Sequence, residues 1–184
     1  VGGAIVQHPR IRLISFTGSV ESGREIYTQA ARMLKRVGLE LGGKNPVIVM
    51  DDADLDLVIE GALFGAFGTA GQRCTATSRL IIHEKIYRPL TEKLLKRTRA
   101  LKIGNPLDPR MDVGPVAGPA QEKKILQYIQ IGIEEGAKLL CGGKKLTGGA
   151  FDHGFFIEPT IFETRHGMRI TQEEIFGPVL CLIK

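Results

Sequence analysis

The sequence predicts an α/β fold, a mostly parallel sheet with flanking helices, because short β-rich apolar runs alternate with stretches of helical period. Gly, Pro and Asn punctuate the alternation. The composition is that of a folded chain: 184 residues, 43% apolar, 24% charged, formal net charge +5. Such a length suits one ordinary domain or parts of two.

Residues 11–17 read as a buried strand ending in Gly18-Ser19, and 20–34 as a helix with Ile26, Ala30 and Leu34 on one face. Residues 37–41 are an apolar run closed by Gly42-Gly43; Asn45-Pro46 signals a turn, and 47–50 a second strand. Asp51, Asp52 and Asp54 open a helix, one of them as N-cap acceptor and all three as anions at the positive end of its dipole. Its inner stripe is Leu55, Val58, Ile59, Ala62 and Leu63, and it frays near Gly65 or Gly68. A strand follows at 78–83, then a helix at 88–102 with Leu90, Leu94, Leu95 and Leu101 inward. Residues 104–119 hold four prolines and three glycines, which suits a structured loop. A helix at 121–136 carries Ile125, Ile129 and Ile133, with Gly136 as its C-terminal cap. Strands are expected at 138–141, 155–160 and 178–183. Both ends of the chain abut apolar segments that need neighbours, so the chain reads as cut from a longer one.

Several function classes fall away. The longest apolar stretch, 55–67, is interrupted by Glu60 and two glycines, so no membrane span is expected. Cys74, Cys141 and Cys181 are far apart and odd in number, and the four histidines are scattered. Neither a disulfide framework nor a metal site is therefore expected, and a reducing, cytoplasmic compartment is the default. A pI near 9.2 invites a nucleic-acid reading. The densest basic cluster, 93–102, however, lies on one face of a helix whose other face is apolar, as solvated faces do. No nucleic-acid partner is expected.

Four stretches carry candidate chemistry. Phe16-Thr17-Gly18-Ser19-Val20-Glu21-Ser22-Gly23 turns a strand into a helix, whose first amides and dipole would suit a phosphate. It matches none of the named phosphate fingerprints, and a plain strand-to-helix turn has the same sequence features. In Leu39-Glu40-Leu41-Gly42-Gly43-Lys44, a glutamate sits between two leucines. Buried, Glu40 would be pushed up toward the range of a general base; at an edge, it would simply face water. In Gly71-Gln72-Arg73-Cys74-Thr75, the thiol lies among small and polar residues, unlike Cys181 in its apolar run. Positive charge or helix-end amides can raise its thiolate fraction, although most free cysteines are inert and buried. Last, Glu173-Glu174-Ile175-Phe176-Gly177-Pro178 makes a rigid bend. There a carboxylate could bind a ribose beside Phe176, or the bend could merely cap a turn over a core aromatic.

Together and in this order, the four stretches resemble the aldehyde dehydrogenase superfamily over essentially all 184 residues. The resemblance implies that Cys74 is the nucleophile, attacking an aldehyde to give a thiohemiacetal and then a thioester, with its backbone N–H on the oxyanion. It implies that Glu40 activates the hydrolytic water. Cofactor contacts would come from Gly18, Ser19 and Gly23 at the pyrophosphate, Leu41 near the nicotinamide, and Glu174 with Phe176 at its ribose. The implied cofactor is NAD, with NADP left open, and the parent a homodimer or homotetramer. By the same resemblance, residues 1–41 are the C-terminal part of a Rossmann-type dinucleotide-binding domain and 42–184 the N-terminal part of the catalytic domain. A coenzyme A-acylating semialdehyde dehydrogenase and a non-catalytic chain on the same fold are the alternatives; Glu40 counts against the first.

Because family members are two to three times this length, the isolated 184-residue chain is expected to show little or no turnover. Steady-state NADH production by the purified chain, lost on Cys74→Ala, would overturn that expectation.

Overall fold

In the computed structural model, which describes residues 1–184, the apolar runs become strands of two separate sheets, and the chain divides into two units, Val1–Gly43 and Lys44–Lys184.

The first unit runs α1 (Gly2–Gln7), β1 (Leu13–Gly18), α2 (Val20–Ala31) and β2 (Arg36–Leu41). The two strands pair in parallel, with Thr17 opposite Glu40 and Gly18 opposite Leu41. Val6, Ile14 and Ala30 form its small core, with Ile11, Ile26 and Val37 packed against it. β1 is therefore not the buried strand expected at 11–17. It has one neighbouring strand, only Ile14 is buried, and Leu13 is 60% exposed. The helix expected to reach Leu34 stops at Ala31, because the amides of Met33 and Lys35 both turn back to the Ala30 carbonyl. Leu34 itself adopts φ 54° and is exposed.

The second unit holds a five-stranded sheet in the order β3 (Asn45–Val49), β4 (Thr77–Ile82), β7 (Val179–Ile183), β6 (Thr160–Thr164), β5 (Lys138–Cys141). Three of its four pairings are parallel, and β5 alone runs antiparallel to its neighbour β6. Every residue of β7 is buried, as a continuous Val-Leu-Cys-Leu-Ile run in a parallel sheet requires. α3 (Leu55–Phe67), α4 (Glu84–Arg99) and α5 (Pro119–Glu134) flank the sheet, with the short α6 (Arg169–Gln172) leading toward β7. Asp54 caps α3 through Oδ1, which accepts from the amides of Asp56 (2.9 Å) and Leu57 (3.2 Å). Ile59, Ala62, Leu63, Ala66 and Phe67 then point into the core.

Three boundaries differ from expectation. α4 starts at Glu84 rather than 88, capped by His83, and Pro89 lies inside it. The lost hydrogen bond is tolerated because Leu90 and Leu94 are completely buried and hold the helix down. The regular ladder of β6 begins at Thr160 and not at 155, since Pro159 has no N–H to donate. Ile133, expected inward, is 44% exposed near the end of α5, while Gly136 caps the helix in the left-handed conformation as expected. On α4, Lys93 pairs with Asp56 and Arg97 with Glu60 of α3, so part of the basic cluster is neutralised locally. No helix is long and apolar enough to cross a membrane.

Phe162 on β6 is wholly buried, so Phe162→Ala is expected to lower unfolding free energy by about 3–5 kcal/mol through the cavity it leaves. Leu57→Ala on the exposed face of α3 is expected to change it by less than about 0.5 kcal/mol. Urea titration of the native protein reads both; equal effects would contradict this core.

Candidate active site

The backbone around Cys74 is made by a helix that ends abruptly. α3 stops at Phe67, and Thr69, Ala70 and Gly71 then follow in the left-handed region (φ 52°, 52° and 66°). Two non-glycine residues in that region are a strained pair, each costing on the order of 1–3 kcal/mol. Gly71 is obligatory here. A Cβ on it would strike the backbone of Gly177 and the carbonyl of Ala66. Gln72 then accepts a hydrogen bond on Oε1 from the amide of Ala117 (2.8 Å), tying the turn to the proline-rich loop. Arg73 reaches back along α3: its Nη2 donates to the Phe64 carbonyl (2.7 Å), and its guanidinium lies 4.7 Å from the centre of the Phe64 ring.

Cys74 and Thr75 occupy the middle of a four-residue turn closed by the Ala76 amide on the Arg73 carbonyl (3.0 Å). The turn is pinned from β3: Asn45 Nδ2 donates to the carbonyls of Cys74 (2.6 Å) and Ala76 (3.1 Å). Cys74 is exposed. Cys181 is buried, its thiol donating to the Ile170 carbonyl (3.3 Å), and burial pushes it up to about 11. Cys141 is half-buried, and its thiol too is pushed up by burial.

The second loop of the site is the bend before β7. Phe176 takes φ 61°, another strained left-handed residue, and Gln121 of α5 holds it by donating from Nε2 to the carbonyls of Ile175 (3.0 Å) and Phe176 (2.7 Å). Gly177 is squeezed between Gly71 and Ile125, where a Cβ would collide. Through this glycine pair the structure brings the Cys74 loop and the Glu174–Phe176 bend together. The two adjacent acids of the bend differ in what they touch. Glu173 accepts from Arg169 (3.0 Å) and from the Tyr128 hydroxyl (2.6 Å), which together hold its carboxyl below the usual range. Glu174, half-buried, takes part in neither bond. Under the bend lies Lys44, whose Nζ is buried without a hydrogen-bond partner and whose ammonium is pushed down mainly by burial.

The remaining expected residues sit in the first unit. Glu40, half of an open question in the sequence, is exposed on β2, so the buried alternative does not apply. Gly23 on α2 is buried against Leu41; a Cβ there would come within 2.7 Å of Leu41 Cδ2. Ser19 caps α2, accepting from the Ser22 amide (3.1 Å), and Gly18 and Ser19 are both exposed at the start of that helix. A cavity of about 880 Å³ in this unit is lined by α1, β1 and α2, and none of Gly18, Ser19, Gly23, Glu40 or Leu41 borders it. Asn45 and Gln121 were not visible in the sequence as site residues: Asn45 read as a turn signal, and Gln121 as an ordinary first-turn residue. No group of three His, Cys, Asp or Glu side chains is placed to hold a metal ion.

The thiols can be told apart chemically. At pH 8 a thiol near 11 is ionised in about one molecule per thousand. Iodoacetamide should therefore alkylate Cys74 at least a hundredfold faster than Cys181 in the native protein, read by peptide mass spectrometry. Comparable rates would contradict the burial described.

The sequence model of the aldehyde dehydrogenase family matches residues 1–184. Betaine aldehyde dehydrogenases of Brucella ovis and Brucella suis are each 48% identical over 187 residues, covering all of this chain and 38% of theirs. The chain thus spans well under half the length of these curated relatives. Among solved structures, HpcC of Thermus thermophilus superposes with a TM-score of 0.95 at 42% identity, over 99% of this chain and 36% of that one. A betaine aldehyde dehydrogenase of Staphylococcus aureus in complex with NAD+ superposes with a TM-score of 0.94 at 38% identity, over 99% and 36%. With a family match from its first residue to its last, and with these structural neighbours, the chain belongs to the aldehyde dehydrogenase family.

Proposed function

We propose that this protein oxidises an aldehyde to a carboxylic acid with NAD as electron acceptor, through a covalent intermediate on Cys74. The observation that carries the reading is an exposed thiol on a multiply braced turn just after the strained Thr69-Ala70 pair, set against a strained bend that presents a carboxylate. Strain of this kind persists only where the surroundings over-determine it, and it gathers at functional sites.

Cys74 Sγ, as thiolate, forms a bond to the aldehyde carbon, and the carbonyl oxygen becomes an oxyanion. The backbone N–H of Cys74 is the donor this chain offers to that charge. The tetrahedral carbon then loses its hydrogen with two electrons and becomes a thioester. Bound NAD would supply the acceptor for that hydrogen and electron pair. Glu40, exposed on β2, takes a proton from water; the hydroxide adds to the thioester carbon, the C–S bond breaks, and the acid leaves with the thiolate restored.

The residues present fit a dinucleotide. The exposed Gly18-Ser19 turn opens a twelve-residue helix whose Val20 and Glu21 amides are free to face a phosphate, Ser19 taking that of Ser22, and Gly23 lets that helix press against Leu41. Glu174, not drawn into the Arg169 and Tyr128 bonds, is left to accept from a ribose, with Phe176 beside it. The NAD+ complexes of the Staphylococcus aureus relative support this choice of cofactor, and the names of the relatives support an aldehyde substrate. On the same reading, residues 1–41 close a dinucleotide-binding domain and 42–184 open the catalytic domain. The protein is then a cytoplasmic homodimer or homotetramer, and three unpaired cysteines suit a reducing compartment.

In the whole protein, Cys74→Ala is expected to abolish aldehyde-dependent NADH formation. Glu40→Gln is expected to keep a burst near one equivalent of NADH and to lose steady-state turnover at least a hundredfold. Rapid-mixing absorbance at 340 nm distinguishes the two. Activity surviving Cys74→Ala, or acyl-coenzyme A as the main product when coenzyme A is added, would overturn the hydrolytic assignment.

A further inference from the structure

We propose that Asn45 is a positioning residue for Cys74, fixing the peptide on which the nucleophile sits; this rests on the role of Cys74 proposed above. A carboxamide NH2 has two hydrogens, and here both are used within one turn, on the carbonyls of Cys74 and of Ala76. The Cys74 carbonyl belongs to the central peptide of the turn closed between Arg73 and Ala76. Rotation of that peptide is what interconverts the common turn types, and it swings ψ of the residue before it by roughly 150°. Holding that oxygen at 2.6 Å therefore holds ψ of Cys74, and with it the direction in which the Cα–Cβ and N–H bonds of Cys74 together leave the framework of β3 and β4. Thiol and amide must address the carbon and the oxygen of the same carbonyl, so this angle is the one the chemistry needs.

Asn45 is itself a firm anchor. Pro46 after it confines its backbone to the extended region, it pairs in register with Thr77, and its carbonyl accepts from the Ser78 hydroxyl (3.1 Å). The ladder shifts register immediately beyond it, between Asn45 and Pro46, so the side chain is aimed at the turn from an irregular strand end. From the other side Arg73 fixes the residue before the thiol by its hold on the Phe64 carbonyl. The turn is thus gripped at both ends of the Cys74 residue.

The test compares Asn45→Ala, Asn45→Ser and the isosteric Asn45→Asp with Ser78→Ala, which breaks a bond at the same strand end without touching the Cys74 turn. In the whole protein with saturating NAD and aldehyde, single-turnover NADH formation should slow tenfold or more for Ala and Asp. Ser, with one donor, should fall between these and the native protein. Both KM values should stay within threefold, since misplacement of a reacting group acts on the chemical step. Amide hydrogen exchange over residues 73–77 should rise in the same variants while Leu80 and Ile82 on β4 remain protected. Ser78→Ala should keep its single-turnover rate within twofold. A native rate in Asn45→Ala, or an equal loss in Ser78→Ala, overturns the proposal; should Asn45→Ala not fold, the Asp and Ser variants decide. Turnover that survives Cys74→Ala would instead bring down the reading of Cys74, and this one with it.

Discussion

The contact between Gly71 and Gly177 governs the rest of the site. The two loops cross backbone to backbone, with no room for a methyl group on either, and Ile125 fills the space behind Gly177. One loop leads within three residues to Cys74, and the other leads back within three residues to Glu174. Their distance apart is therefore set by van der Waals contact of main chains, which is stiffer than any side-chain contact. The left-handed residues beside this crossing, Thr69, Ala70 and Phe176, are the local cost of it. Burial of Ala70, Ile175 and Ile125, and the carbonyl grip of Gln121, offset that cost.

Burial also decides which sulfur can react. Cys181 lies in the middle of β7, the central strand of the five, so its thiolate would have to form away from water. Lys44 and Arg79 lie close enough to favour that thiolate, yet burial outweighs them and the thiol rises. At Cys74 the opposite arrangement holds. The helix before it ends early, the sheet has not yet begun, and the side chain is left facing solvent between them.

Much of this was legible in residues, and the rest depended on what packs where. The α3 boundary could be read because Asp54 caps it with its own side chain, a local effect. The apolar run of β7 announced a strand buried on both faces. Leu34 misled because helical spacing continues past the point where three amides fold back on Ala30 and Ala31, and spacing carries no record of that turn. The start of α4 was placed four residues late, and Pro89 is tolerated inside the helix because two completely buried leucines hold it down. At the site, Cys74 stood out by the polarity of its neighbours, whereas the brace on it did not. The Asn45 carboxamide crosses 29 residues of sequence to reach Cys74, and only the pairing of β3 with β4 makes them adjacent.

Lys44 shows how the same packing shapes charge. Its carbonyl accepts from Arg79, which draws the residue inward and leaves Nζ buried with no hydrogen-bond partner. Burial and the Arg79 charge push the ammonium down, while Cys181, Glu174 and Glu173 push it up. Because burial leads, the folded protein releases this proton at lower pH than the unfolded chain does. The charged form therefore opposes folding below that point, and the opposition fades as pH rises toward the ordinary lysine value. Lys44 in turn adds a smaller pull on Glu173, whose carboxyl the Arg169 and Tyr128 hydrogen bonds hold down first.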